Sequence, residues 1–156
     1  MDFKNLLNLF IVSLATILLS SCKMTDKKVK EVTTSVPYTV AKGYFVKNTF
    51  STDTVQCLLI RSREKLDSVL GMAAAIGKDG MPTQIDFDKE FAIACIHPET
   101  DSMVQLETSA LTKTENRLTL QLSIIRGEKQ SYTIVPLQLL IVEGTSPVEF
   151  RFDVKK

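Results

Sequence analysis

Two runs of strict alternation fix most of what this chain can become. In the first, Val104, Leu106, Thr108 and Ala110 alternate with Gln105, Glu107 and Ser109; in the second, Leu118, Leu120, Leu122 and Ile124 alternate with Thr119, Gln121 and Ser123. A period of two puts every apolar side chain on one face of a strand and every polar one on the other. A helix cannot do this, because its faces repeat every 3.6 residues. Thr114-Glu115-Asn116 separates the runs and reads as a hairpin turn. Val148, Phe150, Phe152 and Val154 alternate with Glu149, Arg151 and Asp153 in a third such run.

Other segments fit the same plan. Tyr44 to Phe50 alternates, and Thr54 to Arg61 and Phe91 to His97 are apolar enough to be strands buried on both faces. Leu137 to Val142 is a further apolar segment, and Pro136 ends, kinks or edges the strand before it. Helical spacing occurs once, in Leu66, Val69 and Leu70, with Ser62 as N-cap and Glu64 in the first turn. Gly71 closes that helix in a left-handed conformation, with Met72 to Ile76 available for one more turn. Gly77 to Pro82 reads as a loop, Arg126-Gly127-Glu128-Lys129 as a turn into Gln130–Val135, and Gly144 and Pro147 mark another turn. The fold class is α+β: a mainly antiparallel sheet of six or seven strands with one short helix.

The first part of the chain has a different character. Leu6 to Leu19 is apolar apart from Asn8, Ser13 and Thr16, too short to span a bilayer and suited to the core of an export signal. The run ends Leu19-Ser20-Ser21-Cys22, which resembles the lipobox of bacterial lipoproteins. That resemblance implies cleavage after Ser21, with Cys22 as the lipidated first residue of the mature protein. Diacylglyceryl and palmitate-class acyl chains there would hold it stably at a membrane, since two or more chains are needed for a firm anchor. Lys23 at the next position differs from the aspartate that retains some lipoproteins at the inner membrane, which points to the outer membrane.

Residues 22–42 then form a basic, flexible tether. Lysines outnumber acids from Cys22 to Lys47 by six to two, and little is available to bury. Val36, Tyr38 and Val40 alternate and add at most a weak strand at its end. One mainly-β globular domain occupies 43–156. Export removes Cys22 from the thiol inventory and leaves Cys57 and Cys95, both in apolar runs. Two free buried thiols and one disulfide both remain open, because sequence does not give the Cα separation.

Chemistry is sparse. His97 is the single histidine, so any Ser-His-Asp or Cys-His device must use it, and no Gly-x-Ser-x-Gly elbow is present. The acids Asp86, Asp88 and Glu90 alternate and would share a face if extended, but calcium-loop spacing is absent and Lys89 interrupts them. Turn and cap roles suit them better. Two cysteines and one histidine are too few for a structural zinc site. No phosphate-binding glycine loop occurs. The domain is slightly acidic, with no interleaving of cations and aromatics, which argues against nucleic acid. The sequence therefore calls for no catalytic residue, metal or cofactor.

Gly43-Tyr44-Phe45-Val46, a strand and helix closing at Leu70-Gly71, Ile85-Asp86-Phe87-Asp88-Lys89-Glu90 leading into Phe91–Ala94, and Tyr132–Leu137 occur in an order that resembles one known family. It is the C-terminal domain of the protease-complex subunits associated with dentilisin-type surface proteases. The resemblance covers about residues 44–152 and implies a non-catalytic accessory role beside an envelope protease. Where that family carries a glycine-glycine-aromatic turn, this chain has His97-Pro98-Glu99-Thr100-Asp101-Ser102-Met103, without glycine. If that turn engages the protease in the family, the resemblance implies that this chain has lost or changed the contact.

Three functional readings follow. The leading one is a binding or accessory lipoprotein, contacting another envelope protein through loops at one end of the sheet. Its candidate contact residues are His97, Glu99, Asp101, Arg126 and Glu128. The second is a small envelope hydrolase using His97 or the acidic run. The third is a structural protein or a carrier of an apolar ligand, which requires an enclosed apolar cavity.

Overall fold

The computed structural model describes residues 32–73, 80–115, 117–144, 147 and 149–155. The signal segment, Cys22, residues 74–79 (the end of the stretch offered for one more helical turn and the first half of the Gly77–Pro82 loop), Asn116 of the hairpin turn and Val148 lie outside them. Ten strands and one helix are described. They are β1 (Thr34–Ser35), β2 (Thr39–Ala41), β3 (Tyr44–Val46), β4 (Gln56–Ile60), α1 (Arg63–Val69), β5 (Leu70–Met72), β6 (Glu90–Ile96), β7 (Thr100–Lys113), β8 (Arg117–Ile134), β9 (Leu137–Glu143) and β10 (Glu149–Lys155). The fold is α+β and mostly antiparallel, as the alternation predicts. Six strands have five residues or more; the other four are two- or three-residue pieces too short to leave a periodic signal.

The strands form two four-stranded sheets, in the orders β1-β7-β8-β10 and β2-β9-β6-β4, with β3 and β5 as a separate pair. Strand β6 is the pivot. Phe91, Ile93 and Cys95 point into the space between the two sheets, with Leu106, Leu111, Leu118, Leu120, Leu122, Leu140 and Val142. Ala92, Ala94 and Ile96 point the other way, into a second cluster with Leu66, Val69, Leu70 and Val46 from α1 and the β3–β5 pair. The chain thus builds three layers, with the β6 sheet in the middle. A middle strand is covered on both faces, which is why β6 reads as an unbroken apolar run.

Local chemistry explains the edges of the elements. Ser62 caps α1 by accepting from the Lys65 amide at 3.2 Å, as the sequence predicts. Gly71 does not close the helix. Leu70 does so in an extended conformation, and Gly71 lies inside β5 opposite Phe45. A Cβ on Gly71 would stand 2.4 Å from Phe45 Cζ, so the ring lies over the space a side chain would fill. Gly43 has φ of +77° and does need glycine; a Cβ there would meet the Pro82 Cα at 2.8 Å.

Two boundaries differ from the sequence reading. The last part of the stretch read as tether, 22–42, carries two short strands, since β1 pairs with β7 and β2 with β9. These pieces bind by backbone hydrogen bonds and largely exposed side chains, so composition alone marks them as spacer. The turn predicted at Arg126–Lys129 is absent, because β8 runs through it. Gly127 lies within the strand, and a Cβ there would crowd Met103 at 3.2 Å. Glycine permits close cross-strand approach here rather than a reversal of direction. The β7–β8 register slips on both sides of Ser102, so extra residues of β8 are absorbed as bulges.

Strands β8 and β10 run parallel. Strand β9 lies between them in sequence but belongs to the other sheet, so the chain reverses twice before returning beside β8. Cys57 and Cys95 are direct partners across β4 and β6, and both are free thiols.

Leu120 is fully buried at the centre of the intersheet core. Leu120→Ala should cost about 2–5 kcal/mol of unfolding free energy in a denaturant titration. Ile125→Ala, on the wet face of the same strand, should stay within about 0.5 kcal/mol of wild type. Equal losses would mean that β8 does not present these faces.

Candidate functional site

The five contact residues named from sequence lie on neighbouring segments: His97 and Glu99 in the connection between β6 and β7, as expected of a loop, but Asp101 on β7 and Arg126 and Glu128 on β8. Beyond Ser123 the β7–β8 ribbon continues with no partner from β10, whose pairing with β8 stops at that residue. From Arg126 to Glu128 and on to Tyr132, β8 is largely exposed. The register sets Thr100 opposite Ile134, Ser102 opposite Lys129 and Val104 opposite Arg126. Segments 100–103 and 126–130 are therefore neighbours along one ribbon, which carries three of the five predicted residues, Asp101, Arg126 and Glu128.

His97 anchors the base of this region. Its amide donates to the Pro136 carbonyl at 3.0 Å as the chain leaves β6. The ring is buried, with Nδ1 at 2.8 Å from the Pro98 carbonyl oxygen and Nε2 at 3.4 Å from Arg126 Nη2. A guanidinium only donates and a carbonyl only accepts. The consistent tautomer carries its proton on Nδ1, donated to Pro98, and accepts from Arg126 at Nε2. Both nitrogens are then engaged, and Arg126 is drawn to the rim of the intersheet core.

The outer part is held by exposed polar contacts. Lys129 Nζ lies 2.8 Å from Asp101 Oδ2, and Thr133 donates to Glu99 at 2.5 Å. The Lys129 ammonium, hydrogen-bonded to Asp101, holds that carboxyl below the usual carboxylate range and is itself raised by the pairing. Glu128 contributes its carbonyl to Gln130 at 3.4 Å. The same strand pair also exposes Met103, Ile125 and Tyr132, which are 57%, 48% and 59% exposed. Such large apolar groups in one strand pair are the part sequence reasoning missed. The polar residues around them disguise the patch, and Met103 lies in the stretch read as a loop.

Two surface grooves flank the base of the ribbon. One, of about 620 Å³, runs between His97, Pro98 and Glu99 on one side and Lys47, Asn48 and Asp53 on the other. The second, of about 690 Å³, lies along Met103, Gln105, Pro136 and Gln138. Both mix polar and apolar lining.

The acidic run lies elsewhere. His97 follows the last residue of β6, whereas Glu90 is its first residue, so a full strand length separates them. Asp86, Asp88 and Glu90 are not extended but close a turn. The Asp88 amide donates to Asp86 Oδ1 at 3.2 Å, the Asp86 amide to Glu90 Oε2 at 2.9 Å, and Lys89 Nζ to Asp86 Oδ2 at 2.9 Å. The Asp86 and Glu90 carboxylates are thus used to close the turn, to which Asp88 contributes its backbone amide. Among the described residues no set of three or more histidine, cysteine or acidic side chains is gathered to hold a metal.

A carboxyl held down in the folded state adds stability above its unfolded titration range and loses it as pH falls through its folded one. The Asp101–Lys129 pair should therefore fade on acidification, and by little, since it is exposed and screened. An NMR titration should place the Asp101 carboxyl below the ordinary aspartate range in the wild type and return it toward that range in Lys129→Met. Identical midpoints would remove the pairing. No family model, curated protein or solved structure matches this chain.

Proposed function

We propose that this chain is an exported lipoprotein, anchored through Cys22 and directed to the outer membrane, whose domain binds another envelope protein without catalysing a reaction. The observation that carries this reading is the distal β7–β8 ribbon. It extends past the paired part of its sheet and exposes Met103, Ile125 and Tyr132 amid Asp101, Lys129 and Glu99. Exposed aromatic and thioether groups ringed by polar ones are the composition of a protein-binding patch. The sequence resemblance to protease-complex subunits supports an envelope protease assembly as the partner class. The altered 97–103 segment lies within this patch, so the contact would be made with different side chains.

The two other readings have less support. A hydrolase needs a free base and neighbouring acids, whereas His97 has both nitrogens engaged and the acidic run is at the far end of β6. A carrier of an apolar ligand needs an enclosed apolar space, whereas Ile93, Leu111, Leu118, Leu120 and Leu140 fill the interior between the sheets.

Two experiments test the proposal. The tagged full chain, crosslinked in its native envelope and captured, should bring down one partner in near-stoichiometric yield. Met103→Ala with Tyr132→Ala should lower that yield about tenfold or more, as loss of central apolar anchors does. An unchanged yield from the double variant would remove the ribbon as the contact. Separately, Cys22→Ala should release the chain from the membrane fraction and abolish the lipid mass on its amino terminus. Retention in the membrane would overturn the anchor assignment.

A further inference from the structure

The Cys57 and Cys95 thiols take no part in the proposed binding surface, yet their placement is specific. They are directly opposed residues of the antiparallel β4–β6 pair. Opposed residues point to the same face, and both side chains enter the intersheet core. Opposed Cα atoms in an antiparallel pair lie about 4.5–5.5 Å apart. A disulfide requires about 4.4–6.8 Å. The neighbouring Cys57 thiol, together with burial, pushes the Cys95 thiol far up.

The two positions differ in access. Strand β6 is interior to its sheet, and Cys95 is fully buried there. Strand β4 is the outer strand of the same sheet, and Cys57 retains slight exposure. Fraying of an edge strand requires breaking only one ladder of hydrogen bonds, so Cys57 is the thiol that meets solvent first.

We propose that Cys57 and Cys95 are a dithiol site that closes to a cross-strand disulfide when a disulfide-bearing oxidant is present. The oxidant class is a protein disulfide oxidoreductase or an oxidised low-molecular-weight thiol. Cys57, as thiolate, attacks one sulfur of the donor disulfide and expels the first donor thiolate. Cys95 then attacks the Cys57 sulfur of the mixed disulfide, losing its proton as it does so, and expels the second donor thiolate, which is protonated. One sulfur–sulfur bond breaks in the donor and one forms in this chain. Two electrons pass to the donor, and the two cysteine protons end on its thiols. The product fastens the outer strand β4 to β6 and closes a loop containing α1 and β5. This chemistry follows from the register alone and does not depend on the proposed partner.

The test uses the full chain, extracted in detergent and incubated with oxidised glutathione or with dithiothreitol. Peptide mapping without reduction should give a linked peptide joining residues 57 and 95, lighter by two hydrogen atoms than the separate reduced peptides. The unfolding midpoint of the oxidised chain should exceed that of the reduced chain by about 5–10 °C. Cys57→Ser should abolish both effects. If that variant does not fold, comparison of the wild-type chain with and without dithiothreitol carries the same test. Full alkylation of both thiols after oxidation and denaturation would overturn the proposal. So would a glutathione adduct on Cys57 that never resolves onto Cys95.

Discussion

Coverage of β6 on both faces is the constraint on which the other elements depend. Its odd-numbered residues require the β7–β8 sheet above them, and its even-numbered residues require α1 and the β3–β5 pair below. Neither side can be left open, because each would expose a row of apolar groups to water. The residues on the two faces also differ in size. Ala92 and Ala94 face the helix side, whereas Phe91 and Ile93 face the sheet side.

The binding surface is a by-product of unequal strand lengths. Strand β8 has eighteen residues, and β10 pairs with its first seven. Inside that limit the alternation serves the core; beyond it Ile124 and Val104 still do, and then the ribbon runs on largely exposed. Arg126 marks the transition, as it reaches inward to buried His97 while Glu128 and Lys129 turn to solvent. A rigid strand pair fixed at its base by the His97–Arg126 contact presents side chains with less loss of freedom on binding than a loop does.

Legibility from sequence followed the strength of each physical signal. The alternating runs at 104–108 and 118–124, the capped helix at Ser62 and the double-faced strand at 91–96 were readable, since burial imposes a period on them; past Thr108 a bulge shifts the first run, so that Leu111 rather than Ala110 enters the core. β1 and β2 were not, because two or three residues joined by backbone hydrogen bonds carry no period. Glycine was the main source of error. Gly71 and Gly127 resemble stop signals, yet each is a place where a neighbour, Phe45 or Met103, occupies the space of a missing side chain. The convergence of 97–103 and 126–130 was legible only as a shared end of the sheet; the ribbon register that joins them needs the bulges around Ser102.

The route of the chain between the sheets has a consequence for how the protein is made and unmade. β1 and β2 are adjacent in sequence but join opposite sheets, and β9 must settle in one sheet before β10 can lie parallel to β8 in the other. Neither sheet can be completed while the other is absent. Assembly therefore waits on contacts between distant parts of the chain, the kind that fold slowly. The two sheets should melt together in one cooperative step, with no half-folded sandwich persisting between the native and unfolded forms.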